Sequence, residues 1–198
     1  MTRVLSLCFL LCIALTAQKR PYGLIHHSDG RDYLIPEVVK RGNLEIGRYE
    51  VTRAQYAAFD SSYRYEGGTD NYPANLITPD QAKGYAIWLS GITGQTYRLP
   101  NEDEVAALYR PAEGENTLDP AKKPALAEVG SFKPNGAKGE EPIYDLGGNV
   151  TEWVLDKNGK AKTLGGSADR PARAKVSSAE VDPAYAGFRV VRGDPKKN

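Results

Sequence analysis

The sequence predicts a mixed α+β domain with little regular secondary structure, and three observations carry that reading. Three helix-start patterns fall between Thr52 and Glu104, and the apolar runs that follow are long enough only for short strands. The 20 glycines and 13 prolines are spread along all 198 residues, which implies many turns. About 180 mature residues suit a single domain with its own core.

The elements follow in chain order. Met1 to Ala17 has a basic Arg3, an apolar run from Val4 to Ala14 and a small-residue end at Thr16 and Ala17. This is the build of a secretory signal peptide, with an apolar run too short to span a bilayer. A periplasmic or secreted product with no membrane insertion after cleavage is therefore expected. Residues 18–32 are polar and read as a flexible lead-in, residues 33–193 as the domain, and residues 194–198 as a frayed tail.

Within the domain, weak alternation around Ile35, Val38, Leu44 and Ile46 predicts two short strands joined at Arg41, Gly42 and Asn43. Thr52 stands three residues before Gln55, a capping-box spacing that predicts a short helix. Thr78 and Gln81 repeat that spacing around Pro79. The positions Ala82, Tyr85, Ala86 and Leu89 recur at helical spacing up to a stop at Gly94. Asn101 with Glu104 marks a third helix. From Pro111 to Asn135 the chain reads as loop with a strand at Val129 to Phe132. Thr163 to Leu164 and Gly187 to Val191 complete the strand candidates.

Composition excludes several functions. With 26 basic and 25 acidic residues, the chain has no charge excess with which to grip nucleic acid or anionic lipid. Both cysteines, Cys8 and Cys12, lie in the leader, and Leu7 and Leu11 stand where a lipoprotein needs a small residue. The mature chain then has no thiol, which rules out disulfides, a thiolate nucleophile and a cysteine-ligated metal.

The segment from Asp145 to Trp153 sets two acids around a glycine-rich turn that ends on a tryptophan. Other distinctive pieces are Tyr49 to Thr52 with Gln55, Tyr56 and Phe59; Ala86 to Leu89 with Thr93 and Gly94; and Tyr97 to Pro100 with Glu102 and Glu104. Val129 to Phe132 with Pro134 to Gly136, Gly165 to Ser167, and Gly187 to Arg192 complete the set. In this order, and over nearly all of the mature chain, the pieces resemble the formylglycine-generating enzyme family, also called sulfatase-modifying factor proteins.

The resemblance implies a variant of the C-type lectin fold with a small, central antiparallel sheet. Family enzymes use oxygen, and copper held by two cysteines, to oxidise a sulfatase cysteine to formylglycine. Those cysteines fall between the Gly-Gly-Ser and Gly-Phe-Arg segments, and residues 168–186 contain none. No copper is therefore expected, and a member without that chemistry is. Val105 replaces the family's usual tryptophan, and Pro111 to Glu128 is too short and too different to carry one of the family's calcium sites.

The other calcium site implied by the resemblance uses the turn itself: Asp145 and Glu152 through side-chain oxygens, Gly148 and Val150 through backbone carbonyls. A glycine-rich turn between carboxylates suits an ion that takes six to eight hard oxygens. The alternative is that Gly147 and Gly148 supply positive φ angles while Asp145 and Glu152 cap or form salt bridges. Arg170, Arg173 and Lys175 stand where the family's groove is lined, as a basic rim for a ligand or as a solvated loop. Asn149, Val150 and Thr151 form a glycosylation acceptor sequence. Trp153 and Trp88 read as core, and His26 and His27 as exposed residues of the lead-in.

The expected function is binding of a protein, peptide or glycan through an inherited groove, with no nucleic-acid partner. Two alternatives stay open: a structural subunit of a cell-envelope assembly, and an enzyme built on acids such as Asp169, Glu180 and Asp182.

Overall fold

The computed structural model describes residues 22–112, 123–171 and 180–194. Within them, three helices and nine strands form an α+β domain, as the capping and turn patterns predict. The leader, Arg173, Lys175 and the tail after Asp194 lie outside the described residues.

Each helix begins where its cap places it. Helix α1 (Arg53–Phe59) is opened by Thr52, whose hydroxyl accepts the Gln55 N–H while its own N–H donates to the Gln55 side chain. Helix α2 (Pro79–Thr93) repeats the reciprocal pair with Thr78 and Gln81, and ends at Gly94 with φ 67°, a left-handed cap that glycine adopts without a Cβ penalty. Helix α3 (Glu102–Tyr109) starts where the Asn101 N–H donates to Glu104 at 2.7 Å. The inward stripe of α2 is Ala82, Tyr85, Ala86 and Leu89, all buried.

Strands β3 (Val38–Arg41) and β4 (Leu44–Gly47) form the expected hairpin across Gly42 and Asn43. They belong to an antiparallel sheet of order β3-β4-β9-β5, with β5 at Tyr97–Arg98 and β9 at Val191–Arg192. A second sheet has the order β7-β6-β8, with β6 at Thr151–Leu155, β7 at Ala161–Leu164 and β8 at Ala186–Gly187. Strand β8 runs parallel to β6, pairing Glu152 with Gly187.

Two apolar clusters join these layers. One gathers Tyr56, Tyr85, Leu89, Trp153 and Phe188 under α1 and α2, and the Trp153 indole N–H donates to the Ile77 carbonyl at 2.8 Å. The other packs Val39, Ile46, Val105, Tyr109, Leu146, Val154 and Val191 between the first sheet, α3 and β6.

Three expectations are corrected. The lead-in is not free of structure: Leu24–Ser28 (β1) and Arg31–Ile35 (β2) form an antiparallel hairpin through Asp29 and Gly30, both at positive φ. It rests on α2, where the His26 ring meets the Ile92 carbonyl at 2.9 Å. Val129 to Phe132 is a turn rather than a strand, because the Gly130 and Phe132 N–H groups donate to the Asp145 carboxylate instead of a neighbouring strand. The Gly187 to Val191 run divides between sheets, giving β8 and β9 with Phe188 fully buried at the crossing.

Candidate functional site

The glycine-rich turn is built for close packing. Positive φ angles fall on Asp145 (67°) and Asn149 (64°), and neither Gly147 nor Gly148 needs one. Gly147 is required for a different reason: a Cβ there would lie 2.3 Å from the Ala112 carbonyl oxygen. Asn149 is buried, and its side-chain amide pairs with the N–H and C=O of Ala127 at 3.0 and 3.2 Å. The glycosylation acceptor is therefore out of reach on the folded chain.

Around the turn lie four buried acidic or basic side chains: Glu50, Asp145, Glu152 and Arg189. The Arg189 side chain has no exposed area and grips both Glu152 oxygens at 2.7 Å. Two further donors reach the carbonyls of Gly47 at 2.8 Å and Tyr144 at 2.9 Å. The buried Tyr109 hydroxyl adds a 2.6 Å hydrogen bond to Glu152. Asp145 accepts the N–H groups of Gly130 and Phe132, the latter at 2.9 Å.

Glu50 is the unusual member. It is 1 % exposed and, among the described residues, neither carboxyl oxygen meets a hydrogen-bond donor. Burial, followed by the repulsion of neighbouring Asp145, raises its pKa well above the carboxylate range. Burial raises that of Asp145 as well, although the Gly130 and Phe132 N–H groups oppose the shift. A proton held on Glu50 relieves the like-charge contact and lets one of its two oxygens donate toward Asp145.

These contacts decide how the implied calcium ligands fit. Calcium needs oxygens free to face it. Here Glu152 already accepts from a guanidinium and a phenol, and Asp145 from two backbone N–H groups. Without an ion, the side chains assigned to calcium act as a cap and a salt bridge. Among the described residues, no three His, Cys, Asp or Glu side chains gather as a metal site.

The other candidates are dispersed. Arg170 reaches Asp169 at 3.4 Å and the Glu180 carbonyl at 3.3 Å, while Ser167 donates to Asp169 at 2.6 Å. Asp182 caps the short 3₁₀ turn Pro183–Tyr185 by accepting the Ala184 N–H. His27 pairs with Asp32 at 3.0 Å, away from the carbonyl that His26 meets. Trp153 lies in the core and Trp88 packs against Tyr33, Phe59 and Tyr85. A separate polar cavity of about 650 Å³ opens at the end of the first sheet, where Arg41, Arg98, Asn101, Asp156 and Arg192 meet.

Glu50 and Arg189 belong to the motif segments without standing out there as site residues. The available signal was a charged residue set in an apolar stretch, as in Gly187-Phe188-Arg189-Val190-Val191. Such a charge, when buried, needs a partner.

Comparison with known proteins agrees with this architecture. Residues 25–195 match the sulfatase-modifying factor enzyme 1-like domain. The structure of PvdO from Pseudomonas aeruginosa is similar at a TM-score of 0.55 and 22 % identity, covering 88 % of this chain and 99 % of that one. The crystal structure of CarF is similar at a TM-score of 0.57 and 19 % identity, covering 85 % and 97 % of the two chains. A search of curated proteins gives no match. The likeness in structure shows the fold, and the match along nearly the whole domain shows the family: the chain belongs to the sulfatase-modifying factor enzyme 1-like, or formylglycine-generating-enzyme-like, proteins.

Proposed function

We propose that this chain is an exported, non-catalytic member of its family that binds a protein, peptide or glycan along the Ser167 to Tyr185 segment. The observation that carries the reading is the cysteine inventory: the only two, Cys8 and Cys12, belong to the leader-like start. Copper-dependent oxygen chemistry of the family type needs soft thiolate ligands, which nitrogen and oxygen side chains do not replace. Shape and polar contacts do not depend on the metal, and one fold can serve unrelated functions.

A feature that suits a contact surface lies beside the segment. Leu76 has φ 59° and is 63 % exposed, and its N–H donates to the Pro183 carbonyl at 2.8 Å. A leucine in the left-handed region costs about 1–2 kcal/mol, and such strain collects at ligand sites. The neighbouring Asn75 amide holds the Ala184 carbonyl at 3.0 Å.

Copper(I) competition with the mature chain tests the loss of catalysis, and no tight binding is expected. Glycan and peptide arrays test retention. Arg170→Ala and Leu76→Gly are expected to weaken the signal together, and retention unchanged in both would move the binding site elsewhere.

A second reading, a subunit of a cell-envelope assembly, is favoured by β1. Leu24 and Ile25 are 52 % and 69 % exposed on a strand that, among the described residues, pairs only with β2, leaving an edge for another chain. Sedimentation of the mature chain, with Ile25→Lys as control, separates the readings. A stable oligomer abolished by that change would favour assembly.

A further inference from the structure

The polar cavity at the end of the first sheet, about 650 Å³ in volume, is walled by four separate parts of the chain: the β3–β4 turn, the start of α3, the β6–β7 turn and the strands β5 and β9. Small-ligand sites of about 300–1,000 Å³ are mostly apolar. Here Leu44 is the one apolar side chain of the wall among the described residues, so a ligand that fits is polar. The wall carries four basic and four acidic side chains. An anion or a cation would therefore meet its own sign over half of that surface.

These charges are held in place. Arg98 donates to both Glu104 oxygens, and Arg192 donates to both Glu45 oxygens at 2.6 and 2.8 Å. Asp156 accepts the N–H groups of Asn158 and Lys160 at 2.8 and 2.9 Å, so its turn fixes the carboxylate. Donors and acceptors set side by side suit ligand groups that donate and accept at once, and hydroxyls are such groups. Because the wall is already ordered, little side-chain freedom is lost on binding. Asn43, Asp103 and Lys157 are exposed at the rim. Asn43 and Lys157 lie outside the motif segments, so the family resemblance implies nothing about this opening.

We propose that this cavity is a second binding site and takes an uncharged, hydroxyl-rich ligand, a short oligosaccharide. Among the described residues it shares no lining residue with the Ser167 to Tyr185 segment, and neither reading depends on the other.

The test measures binding of maltotriose, cellotriose and triacetylchitotriose, all uncharged, to the purified chain. At least one is expected to bind and to slow the acetylation of Lys157, with Lys83 on α2 unaffected, as read by peptide mass spectrometry. Asp103→Leu and Lys157→Met are each expected to weaken that binding about tenfold, the worth of one hydrogen bond to a charged group. Arg170→Ala is expected to leave it unchanged. Binding of none of the three sugars, or binding without protection of Lys157, would overturn the proposal. So would tighter binding of sulfated or amine-bearing trisaccharides, which would contradict the charge balance. Binding lost in Arg170→Ala and kept in both rim variants would move the sugar to the Ser167 to Tyr185 segment and overturn the cavity site. Acetylation is read on the unaltered chain, so the test stands even if a variant fails to fold.

Discussion

At the scale of single residues, the four acidic or basic groups behind the turn make the sharpest predictions. Removing Arg189 would leave Glu152 charged, buried and without its main partner. Breaking a buried pair in this way costs about 3–5 kcal/mol, and Arg189→Met is expected to lose that much in chemical denaturation. Glu50 predicts a pH dependence. Its folded pKa lies above the unfolded value, so the stability it contributes is complete below the unfolded pKa and is lost as pH rises through the folded one. Glu50→Gln should therefore flatten the fall in melting temperature from acid toward alkaline pH. Equal slopes for the two proteins would show that Glu50 ionises without cost. Neither residue was legible as a site from the sequence: the motif segments contain both, but only the fold brings residues 50, 145, 152 and 189 together.

At the scale of elements, local signals located the helices and missed one hairpin. Thr52, Thr78 and Asn101 open the three helices because each is followed three residues later by a side chain able to return the hydrogen bond. Thr78→Ala should cost about 1 kcal/mol, the usual worth of such a cap. Leu89→Ala should cost about 2–5 kcal/mol, because Leu89 is fully buried on the inner stripe of α2. Paired urea titrations check both, and an effect of Leu89→Ala no larger than that of Thr78→Ala would contradict the packing described. The β1–β2 hairpin was hidden by its polar composition, although Asp29-Gly30 is a strong two-residue turn signal. The strand expected at Val129 to Phe132 failed for a long-range reason, since its donors are claimed by Asp145, more than a dozen residues away. The division of Gly187 to Val191 between two sheets is likewise a tertiary event that no local pattern records.

At the scale of the whole molecule, the family fold persists without the family's thiols. The ordered motif segments made the fold legible, because they are the residues that set its caps, its close approaches and its buried charges. The binding surface was less legible, since Arg170 lies in a loop whose partners are scattered, and Arg173 and Lys175 fall outside the described residues. On the proposed reading, the scaffold was kept and the oxidation chemistry lost. The most direct measurement incubates the purified mature chain with copper, oxygen and a sulfatase peptide carrying the target cysteine, then reads the peptide by mass spectrometry. The account predicts that the cysteine stays unmodified, beside full conversion by an active family enzyme. Formylglycine formed by a preparation shown to be free of that enzyme would contradict it.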